Sequence, residues 1–240
     1  MARLAPLSLN ANGPRAGNVS YLGAVQCRRK FELYYPDGFG DESYLIAERS
    51  HKERAHQEWS HELGPKAYRK LLARGEYRQI ADAALRIESR TNLLFSFEKM
   101  ALRDALRTPA GARLFAHELH EFLWGRGTLR RRFEDWIQAV SELPRVRGRV
   151  LTWPVVTAFG FLARPDRHLF LKPRVTCKAA RAYGFDLAYD ARPAWPVYEQ
   201  LLTFAHILRR DLDRRPALRA RDMFDLQSFI WVQGAPEYEG

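Results

Sequence analysis

Apolar positions recur at helical spacing through most of the chain, and each recurrence is closed by a helix-stopping residue. Ala55, Trp59 and Leu63 lie four apart and stop at Gly64-Pro65, which predicts one helix. A short helix over 65–73 follows, ended by Gly75. Tyr77, Ile80, Ala84 and Ile87 mark the next, and Leu93, Phe97, Ala101 and Ala105 another that stops at Thr108-Pro109. Those two residues also read as the N-cap and first position of a helix with Phe115, Leu119 and Leu123 inward, ending at Gly125. Thr128 then caps a helix whose stripe is Leu129, Phe133, Trp136 or Ile137, and Val140, ended by Leu143-Pro144. Helices over 174–183, 196–212 and 223–233 complete the pattern, with Gly184 and Gly234 closing the first and last.

Two stretches break the pattern. Residues 21–35 mix alternating with aromatic positions (Phe31, Tyr34, Tyr35) and end at Pro36-Asp37-Gly38, so one or two strands or an extended segment are expected. In 150–163 the β-branched residues suit a strand, while Trp153-Pro154 suits a helix start. Residues 168–172 read as extended between Pro165 and Pro173. The expected fold is mostly α: a helical bundle with a minor β or extended element. Residues 1–20, with Pro6, Gly13, Pro14 and Gly17, read as a loose arm. Residues 21–240 read as one compact, mostly helical unit with a possible sub-domain boundary near 144–149.

A chain of 240 residues, 46% hydrophobic and 28% charged, can bury a real core. No apolar run approaches the roughly 20 residues needed to span a bilayer, and the N-terminus lacks a signal-length apolar run. A cytoplasmic protein without a membrane partner is therefore expected. The two cysteines, Cys27 and Cys177, offer neither a disulfide framework nor a zinc pattern. Cys27 precedes Arg28, Arg29 and Lys30, a setting that can lower a thiol pKa; an ordinary small residue in the fold is the stronger reading.

The formal charge of +11 changes the picture, because strong positive charge attracts polyanions whatever the fold. The densest cationic stretch holds Arg126, Arg130, Arg131, Arg132, Arg145, Arg147 and Arg149, against Glu134, Asp135 and Glu142. With Leu129, Phe133, Trp136 and Val140 inward, Arg130, Arg131 and Arg132 would fan across the exposed side. Arg145, Arg147 and Arg149 would add guanidinium forks suited to phosphate. A solvated face paired to Glu134, Asp135 and Glu142 is the competing reading.

Other chemistry finds less support. His51, His56 and His61 are five apart, so successive members diverge by about 140° on a helix and cannot share one metal. His117 and His120 at i,i+3, with Glu121, form a weak metal candidate that needs ligands from other helices. A restriction-type nuclease pattern starts at Asp166 and ends at Lys172, but Phe170 stands where its second carboxylate belongs. No zinc finger, RNA-recognition signature or P-loop occurs, and no cofactor is implied. In 221–231, Asp222 fits an N-cap, and Phe224, Phe229 and Trp231 cannot all face one way, so that helix is buried or partner-bound. Asp225 and Gln227 would then be interior polar groups requiring partners.

Trp153-Pro154, the run from Pro165-Asp166 through His168 to Lys172-Pro173, Arg221-Asp222, and the run from Asp225 to Trp231 together resemble an uncharacterised family of bacterial proteins. The resemblance extends back through Tyr44 to Arg103. More distantly, the C-terminal half is similar to segments of bacterial restriction and DNA-processing systems. The resemblance implies a DNA-related role and transfers no catalytic residue. The leading expectation is a nucleic-acid-associated accessory protein in defence or DNA processing, with DNA favoured over RNA. One alternative is an enzyme acting on a phosphorylated small molecule through His168, Lys172, Asp222, Asp225 and Gln227. Another is a protein-interaction subunit whose aromatic surplus marks an interface.

Overall fold

Proline and glycine punctuation sets the helix ends in the computed structural model, which describes residues 21–146 and 148–239. The expected arm over 1–20 and Arg147 lie outside the described residues. The chain runs through α1 (Tyr21–Tyr34), α2 (Glu42–Tyr44), α3 (Ser50–Glu62), α4 (Pro65–Ala73), α5 (Tyr77–Ser89) and α6 (Ser96–Leu106). It continues through α7 (Pro109–Trp124), α8 (Leu129–Glu142), α9 (Trp153–Ala163), α10 (Pro173–Tyr183), α11 (Trp195–Leu212) and α12 (Met223–Gly234). Among the described residues no strand occurs. The all-helical bundle is as expected, and 168–172 passes through the interior as non-helical chain with its side chains buried.

Capping chemistry explains several starts. The Thr108 hydroxyl accepts from Gly111 N at 3.0 Å, and the Thr128 hydroxyl from Arg131 N at 3.2 Å. Each satisfies one of the donors that a helix start leaves orphaned. Gly184, with φ +85°, ends α10 in the left-handed conformation.

The strands or extended segment expected over 21–35 are instead the helix α1. Ala24, Cys27, Phe31 and Tyr35 are spaced by three or four residues and all buried, so the aromatics form a helical stripe rather than an alternating strand. Burial also drives the Cys27 thiol up to about 11, outweighing Lys30 and Arg28; it is not the lowered thiol that its cationic neighbours suggested. The ambiguous 150–163 resolves to α9, whose every residue from Trp153 to Ala163 is buried. A β-branched residue costs a helix only a few tenths of a kcal/mol, against about 1.5–3 kcal/mol for burying each large apolar side chain. One apolar cluster contains core residues from both sides of 144–149, among them Phe133, Trp136, Phe159 and Phe229. No helix among the described residues is long and apolar enough to cross a membrane.

Candidate functional site

Between α2 and α3 the chain makes a π-helical turn, Leu45–Arg49, that brings Glu48 and Arg49 into the interior. They face the start of α12, where Asp222 caps the helix by accepting from Phe224 N at 2.9 Å. Arg49 forks onto that carboxylate, with Nη1 to Oδ1 at 3.1 Å and Nη2 to Oδ2 at 2.8 Å, and also donates from Nη1 to Asp225 at 2.8 Å. Asp225 additionally accepts from the Tyr44 hydroxyl at 2.6 Å and from Arg221 Nε at 2.9 Å. Burial alone would raise the Asp225 carboxyl, but Arg221, Arg49 and Tyr44 together hold it below the usual carboxylate range. Beside this group, Lys52 donates to Ser228 at 2.8 Å and to Glu48 at 3.2 Å, while the Tyr238 hydroxyl donates to Glu48 at 2.8 Å. Asp222 and Asp225 are therefore well supplied with donors and tie the π-helical turn to α12. Gln227 is buried in the same helix, and its Oε1 has no partner.

The other residues named for a catalytic site have different neighbours. His168 is buried with Nδ1 3.1 Å from the Tyr198 hydroxyl and its ring against Phe122. Burial, followed by the charges of Arg164 and Arg132, pushes it down to about 3. Lys172 donates to the Leu93 carbonyl at 2.8 Å, lies 3.5 Å over the Phe95 ring, and is lowered by burial. Asp222 and Asp225 thus come together, whereas His168 and Lys172 each have their own surroundings. For the metal candidates, exposed His117 rests against Tyr77, and His120 pairs through Nδ1 with Glu121 at 3.0 Å. No group of three or more such ligands is assembled among the described residues.

A cleft of about 600 Å³ opens between α3, the end of α7, the 163–166 turn and Asp222. His56, Trp59, Trp124, Arg164, Asp166 and Asp222 line it. His56 Nδ1 is 2.7 Å from the Leu162 carbonyl; since a carbonyl only accepts, Nδ1 carries the proton and Nε2 keeps its lone pair in the neutral ring. Trp59 is buried with an indole N–H that has no partner. Arg164 forks onto Asp166 at 3.1 and 3.0 Å and donates to the Leu123 carbonyl at 3.2 Å. Arg132 donates to the adjacent Phe122 carbonyl at 3.0 Å, and its buried Nε is unpartnered. Arg167 reaches Asp166 at 3.4 Å. Arg164 and Arg167 therefore share the Asp166 carboxylate near the C-terminal end of α7, where the helix dipole favours cations. Arg132 feels the charges of both, with Glu121 opposing them. Burial first, then Arg167 and Arg164, lowers the Arg132 pKa.

The arginine fan expected on α8 is thus divided. Arg132 turns inward to this cluster. Arg130 pairs with Glu134 at 2.9 Å and Arg131 with Asp135 at 2.9 Å, both exposed and at i,i+4. Arg145 and Arg149 are exposed in the following loop. A different cationic face stands on α10, where Arg174, Lys178 and Arg181 are spaced at i, i+4 and i+7 away from the core. Val175, Ala179, Ala180 and Tyr183 on its other side pack toward α12 and α1. Lys30 of α1 lies near enough to Lys178 for like-charge repulsion, after burial, to lower its pKa. Lys178 itself pairs with Glu239. The spacing of the α10 cations and the absence of acid from that helix were available in the sequence; the grouping of Arg132 with Arg164 was not. No family profile, curated protein or solved structure matches the chain.

Proposed function

We propose that this is a nucleic-acid-associated accessory protein that holds a phosphate backbone on the outward face of α10. The observation that carries this reading is a contrast between helices. The sequence of α10, PRVTCKAARAY, has three cations and no carboxylate. That of α8, LRRRFEDWIQAVSE, balances three arginines with three acids. Encounter with a polyanion depends on local net charge. Glu239 pairs with Lys178 from outside the helix, which leaves Arg174, Arg181 and the neighbouring Lys30 in excess, so the α10 face attracts where α8 is nearly neutral. The excess of 39 Lys and Arg over 28 Asp and Glu supports the same partner class. The resemblance to restriction and DNA-processing segments favours DNA over RNA and a role in those systems.

The test is binding to labelled duplex DNA across a salt series. The triple variant Arg174→Gln/Lys178→Gln/Arg181→Gln should bind far more weakly, and its log K against log salt should flatten by about 0.9 for each phosphate that is no longer neutralised. The double variant Arg130→Gln/Arg131→Gln should retain most of the affinity. Unchanged binding by the triple variant would overturn the assignment.

A further inference from the structure

We infer that Phe95 and Phe97, at the start of α6, form a platform on which unpaired bases of a single-stranded nucleic acid stack. The inference rests on the nucleic-acid reading and deepens it, naming the form of strand that is held. All fourteen phenylalanines except Phe95 and Phe97 are buried; these two are 51% and 62% exposed. Their rings lie nearly parallel, with 15° between planes and centroids 5.5 Å apart. Met100, half exposed, continues the same face of the helix at i+3 from Phe97. The Lys172 ammonium lies 3.5 Å over the Phe95 ring while donating to the Leu93 carbonyl, which holds that ring in place. Aromatic surface of this kind accepts every base, since each has a π-face. Bases inside a duplex already stack on one another, so the platform is open only to a single strand.

Charge decides the occupant. Exposed cations border the platform on three elements. Arg103 follows Met100 at i+3 on α6. Arg149 stands in the loop that runs along α6, where a Cβ on Gly148 would meet Ala101 at 3.4 Å and Thr152 donates to Glu98 at 2.7 Å. Arg174 opens α10 two residues after Lys172, so the platform adjoins the N-terminal end of the helix proposed to hold the backbone. The carboxylates beneath the rings are buried and engaged: Glu98 accepts from Phe95 N at 3.0 Å and Glu88 from Leu94 N at 3.1 Å. Farther out, Asp104 pairs with Arg107 at 3.3 Å, and Asp190 is exposed near Tyr189. Arg103, Arg149 and Arg174 thus give the apolar surface a positive rim suited to phosphates flanking a stacked base. A protein partner fits less well, because three apolar side chains fall far short of the roughly 20–30 residues a side that a stable interface takes.

The test compares binding of the full chain to a labelled oligo-dT with binding to an abasic strand of the same length, which keeps the phosphates and lacks the bases. Oligo-dT should bind more tightly by about tenfold or more. Phe95→Ala/Phe97→Ala should lower oligo-dT to the affinity of the abasic strand, with an unchanged melting temperature showing that the fold is kept. Where the double variant melts lower, Phe97→Ala alone, at a ring mostly in solvent, carries the comparison and should remove much of the preference. Equal affinity of the native protein for both strands, or a preference that survives these substitutions, would overturn the platform. Self-association abolished by Phe97→Ala would also overturn it and give the surface to a second copy of the chain. Base preference lost with the rings, while duplex binding ignores the Arg174, Lys178 and Arg181 substitutions, would keep the platform and discard the α10 face. The converse pattern would keep α10 and discard the platform.

Discussion

Asp225 has no solvent exposure, and both oxygens of its carboxylate are held by donors from Tyr44, Arg49 and Arg221. Arg49 is almost as buried, hydrogen-bonds two carboxylates and lies 3.4 Å from a third, that of the half-exposed Glu53. A charge at such a position is tolerated only because it is paired, and removing one partner leaves the other uncompensated in a poor solvent. Arg49→Met should therefore destabilise the protein by about 3–5 kcal/mol, measured by equilibrium urea unfolding. A loss below about 1 kcal/mol would show that Arg221 and Tyr44 suffice for Asp225. Much of this site could not be read locally. Asp222 as an N-cap and Asp225 as an interior group needing partners follow from 221–231 alone. Their partner Arg49 is 176 residues away from Asp225, and no local pattern encodes that meeting. One clue was present: Tyr44, Glu48, Lys52, Ala55 and Trp59 share a helical stripe, and charges inside an apolar stripe signal buried pairing.

At the level of the helix, punctuation was the most legible feature. Pro65, Pro109, Pro173 and Gly184 stand at or beside the ends they predict, because proline lacks the amide that a helix interior requires and glycine accepts positive φ. Elements identified by residue type were less secure. In α1 and at the residue that follows it, the aromatics Phe31 and Tyr35 suggest strand by composition, while their spacing with Ala24 and Cys27 is helical; spacing decides, since it determines which face can be buried. Helices α9 and α12 are buried nearly all round, so periodicity has little to report there and only length and capping remain. Gly234 shows what such burial demands. A Cβ added there would lie 2.1 Å from the Val175 carbonyl oxygen of α10, a backbone atom that cannot swing aside. Gly234→Ala should cost about 1–3 kcal/mol through separation of α10 from α12, despite alanine's better helix propensity. Thermal unfolding checks this, and a melting temperature equal to or above that of the native protein would refute the close packing.

Across the whole molecule, the charge excess was plain from composition, but its distribution depends on tertiary packing: the same arginine-rich stretch sends Arg132 inward while Arg130 and Arg131 stay exposed. Packing also sets how stability responds to acid. His168 is pushed down to about 3 and His51 to about 4, in both cases chiefly by burial. Their folded pKa values lie below the unfolded value near 6.5, so on acidification the unfolded chain takes up these protons first. The histidine contribution is thus fully present above about pH 6.5 and falls as pH drops, by up to about 1.4 kcal/mol per pH unit for each histidine until its folded pKa is approached. Asp225 and Asp166 have depressed folded pKa values, so their contribution holds above about pH 4 and is lost below it. Urea midpoints measured from about pH 7.5 to 4 should fall steadily once the unfolded histidines begin to protonate. His168→Gln keeps a polar side chain beside Tyr198 but cannot titrate, so its midpoints should fall with a shallower slope over the same range. A slope identical to that of the native protein would mean that His168 is protonated inside the fold, and the buried, neutral ring packed between Phe122 and Tyr198 would have to be abandoned.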